Sequence, residues 1–434
     1  MASARYPSHD RKAAIVTENS GLDARHTDAQ TGGVAGDARR PALVEWRTLF
    51  PGREVAEPTY RLDVVGPMER FDERDCIFAR MDLEPGSDRY EAYYLEHPEV
   101  QAADDYMRSM PPLGSSAAPA DRPALSSLFG SALIFGRPMD IGGAGGRTVA
   151  VGPAASPVRM DHHEASEKVK SVARYLGADL VGVGPLDPAF VYSHVGRTFY
   201  GQRWGESIDL GHPHAISIGV AMDYEMLRRH APGFPVILES GLAYARAAAI
   251  AVQLALFIRS LGYSARAHHL RDYQLLAVPV AIDAGLGELG RSGVLLTRDF
   301  GSCLRLSTVT TDLPMAHDRP VELGIQEFCD KCRTCALACP AGAIPRGDKV
   351  VVRGVRRWKL SAGRCYHYWR QVGSDCSLCL VACAWSRPDN VTRHLRPSHP
   401  EPLLDPATLE KVQQIRSTLP RWLRKYLGDA PTTA

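Results

Sequence analysis

The chain has 434 residues, 45% of them hydrophobic and 23% charged, enough for two or three domains around a buried core. Fifty-one basic against forty-nine acidic residues leave a formal charge of +2, so nothing electrostatic calls for a nucleic-acid partner. Ten cysteines in a chain of this length also exclude one of the small disulfide scaffolds of secreted proteins.

Residues 1–41 are polar, rich in Gly, Ala, Asp and Arg and without hydrophobic period, and read as a disordered tail. Arg39-Arg40 is followed by PALVEWRTLF, which lacks the apolar stretch of a twin-arginine export signal. A globular composition begins at Ala42. DERDCIFARMDL (72–83) and DRYEAYYLEHPEV (88–100) predict an N-terminal segment, residues 42–150, that packs on the core, with Cys76 a buried thiol. Residues 137–158 are rich in Gly, Ala and Pro and read as a loop. GGAGG within them lacks the flanking strand and helix of a dinucleotide fingerprint.

From Glu164 helices and strands alternate. Helical periodicity over Glu164–Tyr175 gives way to a buried strand at 178–186, an aromatic loop at 190–206 and a strand at 214–223. A long Ala-rich helix over 239–262 follows, with Gly262 as its C-cap. Strand-like pieces separated by glycines run on to LRLSTVTTD (304–312). This alternation predicts an α/β domain over residues 151–315. The aromatic loop either walls an apolar pocket or folds back as a lid. The longest apolar run, Ala247–Ile258, contains Gln253 and is short for a bilayer span, so no transmembrane segment is expected. Gly285, Gly287, Gly290 and Gly293 crowd into nine residues, a density that permits either tight turns or close approach of backbone to a bulky ligand.

Residues 316–395 carry the strongest pattern. Cys329, Cys332, Cys335 and Cys339 stand at C-x2-C-x2-C-x3-C with Pro340 next, and Cys365, Cys376, Cys379 and Cys383 end in C-x2-C-x3-C. That is the ferredoxin run for two [4Fe-4S] clusters. Three thiolates two residues apart wrap one face of a cube, and the fourth is carried off to the other cluster. The expected crossing gives Cys329, Cys332, Cys335 and Cys383 to one cluster and Cys339, Cys365, Cys376 and Cys379 to the other. A zinc ribbon would need the paired C-x2-C…C-x2-C form, which neither set has. Reduced thiolates and iron clusters point to a cytoplasmic protein. The tail, 396–434, holds ATLEKVQQIRSTLPRWLRKYL, an amphipathic basic helix suited to packing or to a membrane surface.

Taken together, GADLVGVG (177–184), FIRSLGYSA (257–265), PVAIDAGLGELGRSG (279–293), VTTDLP (309–314) and FCDKCRTCALACP (328–340) resemble the cobalamin-dependent reductive dehalogenases. FDERDCIFAR and YYLEHPE before them and WRQVGSDCSLCLVACAW after them fit the same family, over about residues 45–390. The epoxyqueuosine reductases share the plan of a corrinoid with two clusters.

The resemblance implies a nitroreductase-like corrinoid-binding domain ahead of the ferredoxin-like module. A base-off cobalamin would be lined by Gly285, Gly287, Gly290, Arg291, Gly293 and TRDFGSCLRL (297–306). It makes Tyr244, in GLAYARAA, the proton donor to the carbon that loses halide. Arg305 is then the cation that renders the tyrosine anion less costly. Without the resemblance Tyr244 reads as a core aromatic and Arg305 as a strand residue. Ser240 shares the face of Tyr244 one turn away, and Trp369 with Arg370 is placed to bind a phenolate or carboxylate of an aromatic halide; Arg370 is otherwise solvated.

There are departures from the family pattern. Cys303 stands where relatives often carry Arg, RAHHLRDY offers His268 or His269 where they carry another polar group, and Asp161-His162-His163-Glu164-Ala165-Ser166 only approaches D-x-H-x-x-G. The implied function is removal of halide from an organohalide, aromatic such as a halogenated phenol, by cob(I)alamin reduced through the two clusters. A separate electron donor (ferredoxin, flavodoxin or a reductase) is implied. The alternatives are an epoxyqueuosine-type tRNA reductase and a non-catalytic corrinoid or iron–sulfur electron carrier.

Overall fold

Four strands form the central sheet in the computed structural model, which describes residues 52–136 and 156–386. All of these fall in one compact unit, Ala38–Ala434. The tails read at 1–41 and 396–434, and GGAGG, lie outside the described residues. The strands are β1 (Leu180–Pro185), β2 (His214–Ala221), β3 (Ala265–His268) and β4 (Leu304–Thr311), in the order β1-β2-β4-β3. Every neighbouring pair is antiparallel, a strand direction that alternation in the sequence does not reveal. The reason is topological. The last strand inserts between β2 and β3, antiparallel to both, so β2 and β3 run parallel without touching.

The helices that matter to function are α1 (His162–Tyr175), α2 (Phe234–Ser260) and α3 (Ala277–Asp283) on the sheet. The cysteine module carries α4 (Ile325–Cys332), α5 (Thr334–Ala338), α6 (Ala362–Val372) and α7 (Leu378–Val381). Helix α2 begins at Phe234, earlier than its Ala-rich stretch, because Pro235 is tolerated in a first turn where its missing N–H has no partner to lose. By length and composition α2 could cross a membrane, unlike the run Ala247–Ile258 alone, yet half of its most apolar window is buried in the protein.

Alternation along β4 decides what meets what. Val309 packs with Ala243, Ala247, Ile250 and Leu254 of α2, while Ser307 Oγ donates to Ala247 O (3.0 Å). Arg305 is in phase with both and points to the same side. Leu304 faces the opposite way, into a second core with Val280 and Ala281 of α3 and with Phe190, Tyr192 and Val195. The aromatics of the loop are therefore packed on the core, Phe199 excepted, which is well exposed.

The N-terminal segment docks on the cysteine module as well as on the sheet domain. Ile77 and Met107 pack with Tyr366 of α6, Gly114 N–H donates to Gly373 O (2.7 Å), and Phe129 lies so close to α2 that a Cβ on Gly241 would come within 2.7 Å of its ring.

Candidate active site

The two cysteine sets repeat a local device. Arg333 follows Cys332 and Ser377 follows Cys376, and both adopt left-handed backbone, φ 52° and 51°. Such a conformation in a residue other than glycine costs about 1–2 kcal/mol; here it turns the chain between two sulfurs. Cys329, Cys332, Cys335 and Cys383 rim one hollow together with Arg291 and Trp385. Burial pushes the Cys329 thiol up to about 12 and Cys383 up to about 11. In the second set burial raises Cys376 and Cys379, and Cys365 and Cys339 raise them further. Cys335 also acts on Cys379, so the two sets adjoin. Thiols so costly to ionise alone become thiolates when they bind a metal centre. Among the described residues no three His, Cys, Asp or Glu side chains converge on one ion. Four sulfurs spread around a hollow suit a cubane better than a single tetrahedral zinc.

Arg291 is anchored in this module. It is 1% exposed, and its guanidinium donates to Cys329 O (2.8 Å), Pro345 O (3.0 Å), Gly347 O (2.8 Å) and Asp330 O (3.2 Å). The glycines beside it also serve the chain itself. A Cβ on Gly287 would lie 2.1 Å from Leu296 O, one on Gly285 (φ 76°) 2.5 Å from Arg319 O, and one on Gly290 2.9 Å from Leu296. Gly293 (φ 78°) makes a turn beside Leu360. The loop needs glycine for its own close packing.

The other arm of the site lies between α2 and β4. One helical turn separates Ser240 from Tyr244. The Arg305 guanidinium carbon lies 5.0 Å from the centre of the half-buried Tyr244 ring. Nη2 of Arg305 donates to Ser240 Oγ (2.6 Å) and pairs with Asp375 Oδ2 (3.2 Å), while the Ser240 hydroxyl donates to the same carboxylate oxygen. Asp375 is 4% exposed; burial raises its carboxyl, against the pull of Arg305 and Ser240. Arg305 Nε and Asp375 Oδ1 are buried without hydrogen-bond partners among the described residues. The arrangement offers a hydroxyl with a cation on its ring face.

Asp375 was missed from sequence. The available signal was an acid directly before Cys376 in a stretch that must be buried. Ser240, read as a substrate contact, is instead 1% exposed and engaged within the polar cluster. Trp369 and Arg370 make contacts within the protein. Trp369 packs on Phe78 and Tyr366. Arg370 donates to the carbonyls of Pro111 (2.9 Å) and Met110, fastening α6 to the N-terminal segment.

His268 is also unsuited to giving a proton. Burial and then Arg266 hold its pKa well below the usual value, and its Nδ1 accepts from Arg266 (2.9 Å) and from Gln274 N–H (3.2 Å). Asp161 caps α1, accepting from His163 N–H (2.9 Å), which accounts for the near-match to a corrinoid motif. Cys303 is a buried core thiol.

Residues 328–388 match the family model described as a 4Fe-4S dicluster domain. Tetrachloroethene reductive dehalogenase of Desulfitobacterium hafniense is 35% identical over 272 residues, 52% of this chain and 48% of that protein. The enzyme of the same name from Sulfurospirillum multivorans is 30% identical over 263 residues, 53% and 52% of the two chains. Epoxyqueuosine reductase of Salmonella typhimurium is 30% identical over a shorter stretch, 190 residues or 36% of this chain and 46% of that one. A solved reductive dehalogenase, studied for the mechanism of B12-dependent dehalogenation, superposes with a TM-score of 0.60 at 26% identity, over 84% of this chain and 48% of its own. A catabolic reductive dehalogenase in complex with 3-bromo-4-hydroxybenzoic acid gives 0.58 at 25% identity, over 87% and 50%. The chain thus spans about half the length of the curated relatives it matches. It carries a 4Fe-4S dicluster domain on a mixed α/β fold, and in sequence and structure alike it is similar to the reductive dehalogenases, with the epoxyqueuosine reductases also related.

Proposed function

We propose that this chain catalyses reductive dehalogenation of an organohalide, with two [4Fe-4S] clusters feeding electrons to a corrinoid held by a nitroreductase-like sheet domain. One observation carries the reading. Arg305 lies over Tyr244 and is bonded to Asp375, the residue next to Cys376, so a proton-donor pair abuts the cysteine module. The net reaction takes two electrons and one proton: the carbon–halogen bond breaks, halide leaves, and a C–H bond forms.

Bound cobalamin would supply the low-potential centre that cleaves the carbon–halogen bond. The surroundings of Tyr244 fit such a group better than the glycine loop does. Arg305 Nε and Asp375 Oδ1 are buried there without partners, whereas the loop is filled by its own chain. Tyr244 gives its hydroxyl proton to the carbon, and Arg305 lowers the cost of the phenolate left behind. Cys329, Cys332, Cys335 and Cys383 hold one cluster; Cys339, Cys365, Cys376 and Cys379 hold the other. A separate ferredoxin, flavodoxin or reductase delivers the electrons, in the cytoplasm. With Arg370 and Trp369 occupied in packing, a phenolate-binding role loses its residues, and halogenated alkenes stand beside halogenated phenols as substrates.

The test is anaerobic reconstitution with iron, sulfide and cobalamin, followed by assay of halide release from chlorinated and brominated phenols and alkenes. Reductant-dependent halide release, matched by dehalogenated product, is expected. None from any of them, with both cofactors loaded, refutes the proposal.

A further inference from the structure

We infer that Asp375 is a positioning residue, holding the Arg305 guanidinium over the ring of Tyr244 from the peptide that carries Cys376. The inference rests on the reading of Tyr244 as proton donor. Three separate elements meet at this point: α2 brings Ser240 and Tyr244, β4 brings Arg305, and the turn before α7 brings Asp375. Arginine has many rotamers, and nothing in β4 fixes the far end of its side chain.

What fixes it is one carboxylate oxygen. Nη2 donates to Ser240 Oγ (2.6 Å) and pairs with Asp375 Oδ2 (3.2 Å), and Ser240 itself donates to that oxygen. Among the described residues Asp375 is the one acid in an ion pair with Arg305. The acceptor at the end of both paths is therefore Asp375. Remove it, and Ser240 loses its own acceptor as well as its competitor for the guanidinium. Arg305 is then held at a single hydroxyl, and the 5.0 Å stacking distance to Tyr244 is no longer defined from two sides. Asp375 touches neither the phenol nor any group placed at the reacting carbon, so its influence runs through Arg305.

The test replaces Tyr244 by 3-fluorotyrosine in the oxidised, cluster- and cobalamin-loaded protein and follows its single fluorine resonance at fixed pH. This reports the guanidinium over the ring whether or not the protein turns over an organohalide. Asp375→Ala is expected to move the resonance most of the way to its position in Arg305→Gln. Added to Arg305→Gln, it should move it no further. In turnover, kcat should fall on the order of 10²-fold, the scale of a misplaced reacting group, with KM little changed because no substrate contact is lost. Should Asp375→Ala fail to retain iron, Asp375→Asn keeps the shape and a weaker acceptor, and a smaller movement in the same direction is expected. A wild-type resonance position in the Asp375 variant, with Arg305→Gln shifted, overturns the inference. A wild-type protein that releases no halide while the resonances behave as expected would instead refute the dehalogenase reading and leave Asp375 as the holder of Arg305.

Discussion

Arg305 and Arg370 invite comparison, since each lies against a tyrosine ring, 5.0 Å from Tyr244 and 5.9 Å from Tyr366. Their surroundings differ in kind. Arg370 gives most of its hydrogen bonds to the carbonyls of Pro111, Met110 and Arg108, with a longer one to the Tyr366 hydroxyl (3.4 Å). Arg305 pairs with a buried carboxylate and a hydroxyl, and its Nε is left without a partner. An arginine saturated by main-chain oxygen is a fastener. One held at a single nitrogen, with a phenol on its face, is placed to answer a change of charge.

The largest effect that bears on this contrast concerns the module to which both arginines attach. If Cys383 completes the set of Cys329, Cys332 and Cys335, Cys383→Ala should cut the iron content from about eight to about four per chain. Combining it with Cys329→Ala should lose no more, whereas Cys339→Ala should empty the other cluster. Iron analysis with low-temperature spectroscopy of the remaining cluster distinguishes these outcomes.

Next comes removal of the poised cation. Arg305→Leu leaves Asp375 buried without its counter-charge and should destabilise the protein by about 3–5 kcal/mol, the scale for breaking a buried pair. The thermal midpoint reads it, and Arg305→Lys, which keeps the counter-charge, should lose much less than Arg305→Leu. A third arginine, Arg197, tests the comparison from the acid side. Its Nε lies 3.9 Å from fully buried Glu73, whose carboxyl burial pushes up to about 7 from 4.5. The folded state holds that proton more tightly than the unfolded one. Stability is therefore fully present below about pH 4.5 and falls as pH rises through about 7, by about 3 kcal/mol. Glu73→Gln should flatten that slope in urea titrations at stepped pH. Smallest is Arg370→Ala, expected to cost about 1–3 kcal/mol by stranding carbonyl acceptors, with turnover per cofactor-loaded molecule unchanged. A lost turnover there would turn the fastener into a site residue.

How much of this could be read in the sequence depends on the range of the interaction. The cysteine sets were legible because spacing along the chain is itself the signal of a 4Fe-4S dicluster domain. Tyr244 and Arg305 came from resemblance, and the sheet brings them together by the alternation of β4 against α2. Asp375 was not legible because its partner Ser240 is 135 residues away and no local pattern records that contact. The contact of Arg370 with Pro111 was hidden for the same reason, the two lying 259 residues apart. The glycine loop announced close packing but not what packs there, and Leu296 proved to be the neighbour of Gly287. The antiparallel sheet was hidden because β4, last in sequence, inserts between β2 and β3.

The account turns on Tyr244, and one comparison of rates tests it most directly. Tyr244→Phe and wild type are each loaded with cobalamin and about eight irons, and halide release is measured under the same reductant. The substitution removes one hydroxyl and keeps the ring that packs beside Arg305, so the fold should stand. Loss of a general acid predicts a rate lower by about 10²–10⁴-fold. A Tyr244→Phe protein that releases halide at the wild-type rate, with both cofactors in place, would contradict the account and make Tyr244 a packing residue.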